Sequence, residues 1–422
     1  MLILLTLIYA VNIADRYVIS TLIEPIKADL HLSDTSIGFL TGVALAIFYV
    51  TAGLPLGVLA DRASRRNLLA ASLAVWSVMT TICGFTQTFW QLLLARVGVG
   101  VGEAGGTPPS NALISDYFPW RRRPLALSIF SLGASLGSMI GTSAGYVSDA
   151  WGWRSAFLLL GTPGIVLAAI VILTLKEPQR GRLDSTVLGS RTSLLDTLRY
   201  ARGAPALVHC LAGATVFTLW GWGLMWWAPS YLVRSHGMTL GAAGGALSLM
   251  NGIGGTAVLL GTTVLMGRLA GRDARVVPWF VMTTIIAGTF PSIVAFSTTS
   301  THLTLVMLWL FIPLTYAAFG PTFALLQNLV PPGMRAQSIA LLLFFSNIAN
   351  LVIAPQLVGI VSDHFAARYG TESLRVALIP LAFVGFWAAW HYWRCARHLR
   401  AGLQLAGIPS AEPPESAQAA EV

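Results

Sequence analysis

Runs of about twenty apolar residues return twelve times along this chain, with short polar breaks between them. A run of that length matches the hydrocarbon thickness of a bilayer at the helical rise per residue. Inside lipid each backbone N–H and C=O must be satisfied within its own segment, so each run has to be a helix. Composition removes the soluble alternative. The 422 residues are 55% hydrophobic and only 10% charged, whereas a soluble domain carries about 25% charged residues. The expectation is an all-α membrane protein of twelve transmembrane helices, at 2–24, 36–60, 67–86, 89–115, 124–147, 154–175, 206–232, 241–266, 276–297, 303–329, 336–361 and 374–394.

The net charge of +9 would suggest nucleic acid in a soluble protein. Here the basic residues collect in alternate loops, 19 on one side against 5 on the other, with Arg16 and Arg96 inside spans. That asymmetry is the positive-inside pattern, so the rich side is expected to be cytoplasmic, with both termini there. The reading is a multi-pass protein of the cell (inner) membrane, a monomer with no nucleic-acid partner. Cys83, Cys210 and Cys395 lie in or beside apolar runs, and their spacing suggests neither a metal nor a disulfide framework. No cofactor is expected. No basic segment precedes the first run, so no cleavable signal is expected.

One long polar stretch, 176–204, splits the spans into two sets of six. Leu194, Leu195 and Leu198 fall at helical spacing there, which predicts a short surface helix. Residues 396–422 read as a cytoplasmic, disordered tail rich in Ala, Pro and Glu. The two sets repeat one another. GYVSD at 145–149 returns as GIVSD at 359–363, and Pro119 followed by Arg123 returns as Pro331 followed by Arg335. GVLADRASR at 57–65 returns, weakened, as GRLAGRDAR at 267–275. These matches share an offset of about 210 residues. They predict two pseudo-symmetric six-helix bundles, 1–175 and 205–395, with a substrate site between them near the midplane.

The loop GVLADRASRR resembles the signature loop of the major facilitator superfamily, in which Gly57, Asp61, Arg62, Arg65 and Arg66 take the motif positions. The resemblance implies the major facilitator fold and a gating role for Asp61, Arg62, Arg65 and Arg66. Gly271 stands where the second half should repeat Asp61. NIADRYVIS on span one and RVGVGVGEAGGTPPSNALISDYFP on span four look like the spinster-type lipid transporters. That resemblance implies proton-linked movement of amphiphiles such as lysophospholipids or sphingoid phosphates.

The deep charges are Asp15, Arg16, Arg96 and Glu103. Each costs about 2.5–3.5 kcal/mol at a helix centre on insertion scales, so they must pair or face water. Asp15 and Arg16 are adjacent and point about 100° apart. Arg96 and Glu103 share a face but stand about 10 Å apart along the axis. Crossed pairs between the two spans satisfy all four. Protonating an acid would then free an arginine to take an anionic headgroup. Asp15 is the first candidate for the proton-coupling site and Glu103 the second, with Arg16 and Arg96 as headgroup partners. A fixed ionic staple is the bland alternative. Tyr9 and Asn12 extend the polar face of span one, either lining the cavity or bonding between helices.

The second half has no such charges. Trp220, Asn251, Tyr316, Phe319 and Asn347 are its candidate substrate contacts, giving one charged and one aromatic wall. Its aromatics can equally face lipid, and Trp226 and Trp227 read as interfacial belt residues. A charged head and an apolar tail suit such a cavity. The expected function is therefore a proton-coupled secondary transporter of amphiphilic lipids working by alternating access, not an enzyme. An exporter of hydrophobic drugs or small organic anions is the alternative, and a non-transporting membrane sensor a remote one. A lipid-acting enzyme is disfavoured because His209, His302, His364 and His391 have no motif partners.

Overall fold

The computed structural model describes residues 1–43, 63–119, 122–178, 194–269 and 275–407. Every element among them is helical. The spans fall close to their expected places: Leu2–Thr21, Arg65–Cys83, Arg123–Trp151, Trp153–Thr174, Pro205–His236 and Val276–Ser297 are six of them. Several begin on a hydroxyl that satisfies an otherwise orphaned amide of the first turn. Ser33, Ser64, Thr88, Thr239 and Ser300 each accept a backbone N–H in this way.

Two kinds of irregularity obey the repeat, whereas the π turn of span eleven has no counterpart in span five, Arg123–Trp151. Span two opens as Asp34–Gly38 and passes into a π turn at Phe39–Val43, and span eight has its π turn at Met250–Gly254, the same offset along the chain. Span four breaks between Phe89–Ala104 and Thr107–Tyr117, and its counterpart span ten between Thr301–Ala317 and Phe319–Asn328. Span eleven runs from Arg335 to Tyr369 with a π turn at Ile348–Ile353.

The repeated proline–arginine pair does the same mechanical job twice. Arg123 Nε and Nη2 donate to Phe118 O and Ser115 O, closing the end of span four. Arg335 Nε donates to Gln327 O at the end of span ten. A cation on the last carbonyls of a helix meets its negative dipole end.

Small residues let the spans approach backbone to backbone. On span five, a Cβ added at Gly133, Gly137 or Gly141 would sit 2.7, 2.4 or 2.6 Å from Thr6 O, Ala10 O or Ala14 O of span one. The two halves also meet. Span five packs on span eight, span two on span eleven, and Ser20 Oγ donates to Trp226 O at 2.5 Å. Among the described residues, these contacts lie toward the end opposite the basic loops.

Two expectations need correction, and a third falls on residues outside those described. The last helix, Ser373–Leu405, continues ten residues beyond the expected start of the tail, because Cys395, Ala396, Leu399 and Leu403 are buried along one stripe. Trp226 and Trp227 are buried rather than lipid-facing, at 8% and 0% exposure, because they lie where span seven packs inside the molecule. Asp61 and Arg62 lie outside the described residues. The linker helix is present at Leu194–Arg202, and Tyr200 Oη donates to Leu329 O.

Candidate functional site

Spans one and four carry the charges, and consecutive positions on a helix cannot share a partner. Asp15 therefore turns toward spans three and four, accepting from Thr80 Oγ1 at 2.5 Å and from Arg96 Nη1 at 2.9 Å. Arg16 turns to Glu103, whose Oε2 accepts from Nε at 2.9 Å and lies 2.8 Å from Nη2. The expected crossed pairing is thus formed: each helix supplies one acid and one base to the other.

The two pairs differ in enclosure. Arg96 and Asp15 side chains are 1% and 3% exposed, and Asp15 has a donor on each oxygen. Arg16 is 20% exposed while Glu103 is wholly buried. Glu103 Oε1 has no hydrogen-bond partner among the described residues. A buried carboxylate oxygen left without a donor is a natural place to receive a proton, because no existing bond is lost.

Tyr9 stacks on Phe130 with ring centroids 4.7 Å apart. Asn12 is buried and, with Tyr9, Trp76, Gly106 and Ser110, borders a small cavity at the break in span four.

Across the interface Trp222 is the central ring. It lies 6.2 Å from Tyr17 of the first half, 6.2 Å from Tyr316 and 5.8 Å from Phe319 of the second. Tyr316 Oη donates to Asn251 Oδ1 at 3.0 Å. Phe319 continues into an apolar pocket with Phe217, Phe323, Leu342 and Leu343. Asn347 is half-buried at the end of its helix, just before the π turn of span eleven. Trp220 does not join this group. It is 1% exposed, its Nε1 donates to Ala382 O at 3.1 Å, and it packs on Phe311 inside the second half. Trp222, two residues on, occupies the place expected for it. No sequence signal separates the two, since both are tryptophans on a span apolar all round.

Arg65 and Arg66, expected to gate, make contacts that hold one half together. Arg65 pairs with Asp116 at the end of span four. The backbone N–H groups of Arg65 and Arg66 donate to Glu177 at 2.8 Å, so an acid after span six caps span three. Arg66 also reaches Leu175 O at 3.5 Å.

The family described as Major Facilitator Superfamily matches residues 5–354. An MFS-type efflux pump of Mycolicibacterium smegmatis is 33% identical over 94% of this chain and 92% of its own length. The sphingosine-1-phosphate transporter SPNS2 of Danio rerio is 27% identical over 88% of this chain and 79% of its own. Among solved structures, a bacterial homologue of the human lysosomal transporter Spinster, inward-facing and unoccupied, superposes with a TM-score of 0.85 at 27% identity. That match covers 95% of this chain and 97% of the other.

Proposed function

Because this chain belongs to the major facilitator superfamily and is a transporter of the spinster type, we propose that it carries amphiphiles with an anionic head and an apolar tail, coupled to protons, by alternating access. The observation that carries this reading is the contrast between the two walls. Arg16, partly open and forked onto Glu103, is the accessible one of the two deep arginines of the first half. Trp222, Tyr316, Phe319 and the pocket behind them offer rings and aliphatic carbons from the second.

In this reading Glu103 takes the proton, since one of its oxygens is unbonded and its partner is open. Asp15, doubly bonded and sealed, positions Arg96 and is the second candidate. Protonation of Glu103 releases Arg16, whose planar fork suits a phosphate or carboxylate head. The head then holds the place of the carboxylate, and the tail lies among the rings. With the basic end cytoplasmic in the inner membrane, the contacts between the halves among the described residues close the outward end.

A second reading rests on the efflux pump, the more identical of the two relatives named above. The same apolar pocket accommodates a hydrophobic drug without any head contact to Arg16.

Proteoliposomes test both. Flux of a phosphate-headed lysolipid is measured with and without an imposed proton gradient, for wild type, Glu103→Gln and Asp15→Asn. Gradient-driven flux that Glu103→Gln uncouples supports the reading. Equal flux with and without the gradient in all three removes proton coupling. Absence of lysolipid flux with export of a hydrophobic cation favours the second reading.

A further inference from the structure

We propose that Asp149 and Asp363, the acids ending the two Gly-X-Val-Ser-Asp repeats, are matched latches that hold the two halves shut at the end opposite the basic loops. Each reaches out of its own half to the start of a helix in the other. Asp149, on span five, accepts from Gly241 N at 2.7 Å, in the first turn of span eight. Asp363, on span eleven, accepts from Asp34 N at 3.0 Å and Thr35 N at 2.8 Å, in the first turn of span two. Spans five and eleven are repeat equivalents, and so are spans two and eight. One device is therefore used twice, in opposite senses.

The chemistry suits the task. First-turn amides have no partner within their own helix, and the helix dipole favours an anion there. The glycine of each repeat makes the approach possible. A Cβ at Gly145 would lie 2.3 Å from Leu240 O, and one at Gly359 would lie 2.4 Å from Asp34 O. Ser362 adds a bond to Asp34 Oδ2 at 2.7 Å. Neither aspartate touches the cavity, so both are positioning residues for the transport cycle. Opening that end requires both latches to break together. The inference rests on the halves rocking, and not on the cargo or on proton coupling.

The test is an accessibility rate. Ser248 lies between the halves, its hydroxyl 3.1 Å from that of Ser143. Ser248→Cys is placed in the full chain in proteoliposomes with the latched end outward, and a membrane-impermeant maleimide is added outside. The native cysteines are buried. The labelling rate then scales with the fraction open at that end. Loss of a helix-capping acid is worth about 1 kcal/mol, so Asp149→Ala or Asp363→Ala should raise the rate about fivefold. The double variant should raise it roughly 25-fold if the latches act independently. Asn retains an acceptor and should restore most of the slow rate. A double-alanine variant that stays folded and labels at the wild-type rate overturns the proposal. If the alanine variants do not fold, Gly145→Ala and Gly359→Ala take their place, with faster labelling expected and an unchanged rate overturning it. Cargo flux plays no part in this readout, so failure of the latch and failure of the lipid reading remain distinguishable.

Discussion

Arg96 Nη1 lies 2.9 Å from Asp15 Oδ2, with neither side chain more than 3% exposed. Seven residues along span four, Glu103 meets Arg16, and there the arginine is 20% exposed. Two chemically similar pairs, about two helical turns apart on span four, therefore have different fates. The enclosed pair cannot exchange partners without opening the bundle. The partly open pair can.

The enclosed pair should behave as a structural unit. Removing one partner of a buried pair leaves an uncompensated charge and costs about 3–5 kcal/mol, whereas an apolar replacement of both is often neutral. Arg96→Leu is expected to lower the unfolding midpoint in micelles strongly, and Asp15→Leu combined with Arg96→Leu to recover most of the loss. A double variant as unstable as the sum of the single ones would mean that the pair is not coupled.

Arg16 should act on affinity and selectivity. Arg16→Lys keeps the charge but loses the planar fork. One charge-assisted hydrogen bond fewer corresponds to about tenfold weaker binding. A phosphate-headed lysolipid should bind about tenfold more weakly to Arg16→Lys, while a neutral-headed analogue binds unchanged. Titration followed by intrinsic tryptophan fluorescence measures both.

Trp220 and Trp222 should separate cleanly. Trp220 is enclosed and hydrogen-bonded in the second half. Trp220→Ala is expected to destabilise by about 3–5 kcal/mol. Trp222, half-buried against Tyr17, Tyr316 and Phe319, should instead lose about tenfold in affinity for a long-tailed amphiphile, through lost ring contacts. Unfolding midpoints and binding isotherms for the two variants decide this.

What was legible follows from what lipid penalises. Asp15, Arg16, Arg96 and Glu103 stand out because a lone charge in hydrocarbon is expensive, and helical geometry then dictates their crossed pairing. The spans and their repeat are legible for the same reason. Trp220 and Trp222 are not, because a helix apolar on every side carries no moment to say which face meets protein. Trp226 and Trp227 misled for that reason too. Asp149 and Asp363 were visible as a repeat, but their partners are backbone amides of the other half, and no sequence spacing encodes a contact between bundles.

Closure of the latched end should be insensitive to pH across the physiological range. The group to consider is Asp34, which binds Arg234 through two bonds at 2.6 Å, Lys27 at 2.6 Å and Ser362 at 2.7 Å, with Glu24 beside it on Arg234 at 2.8 Å. Each bond to Asp34 favours the charged carboxylate, so the closed form holds Asp34 ionised. A carboxylate held by such bonds in the closed form resists protonation there, so its contribution to closure is complete near neutral pH and is lost only in acid. Arg234, bonded to both Asp34 and Glu24, stays charged throughout this range because a guanidinium is effectively always protonated. His236 bonds to Tyr231, Thr301 and Thr304, all in its own half, so its protonation does not load the interface. Spin labels at the exposed Gln87 and Thr299 should therefore give the same distance distribution by pulsed electron resonance from about pH 8 to about pH 5. A separated population should grow only below about pH 4. A distribution that shifts near pH 6, and still does so in Glu103→Gln, would place a titrating group at this end and move proton sensing away from spans one and four.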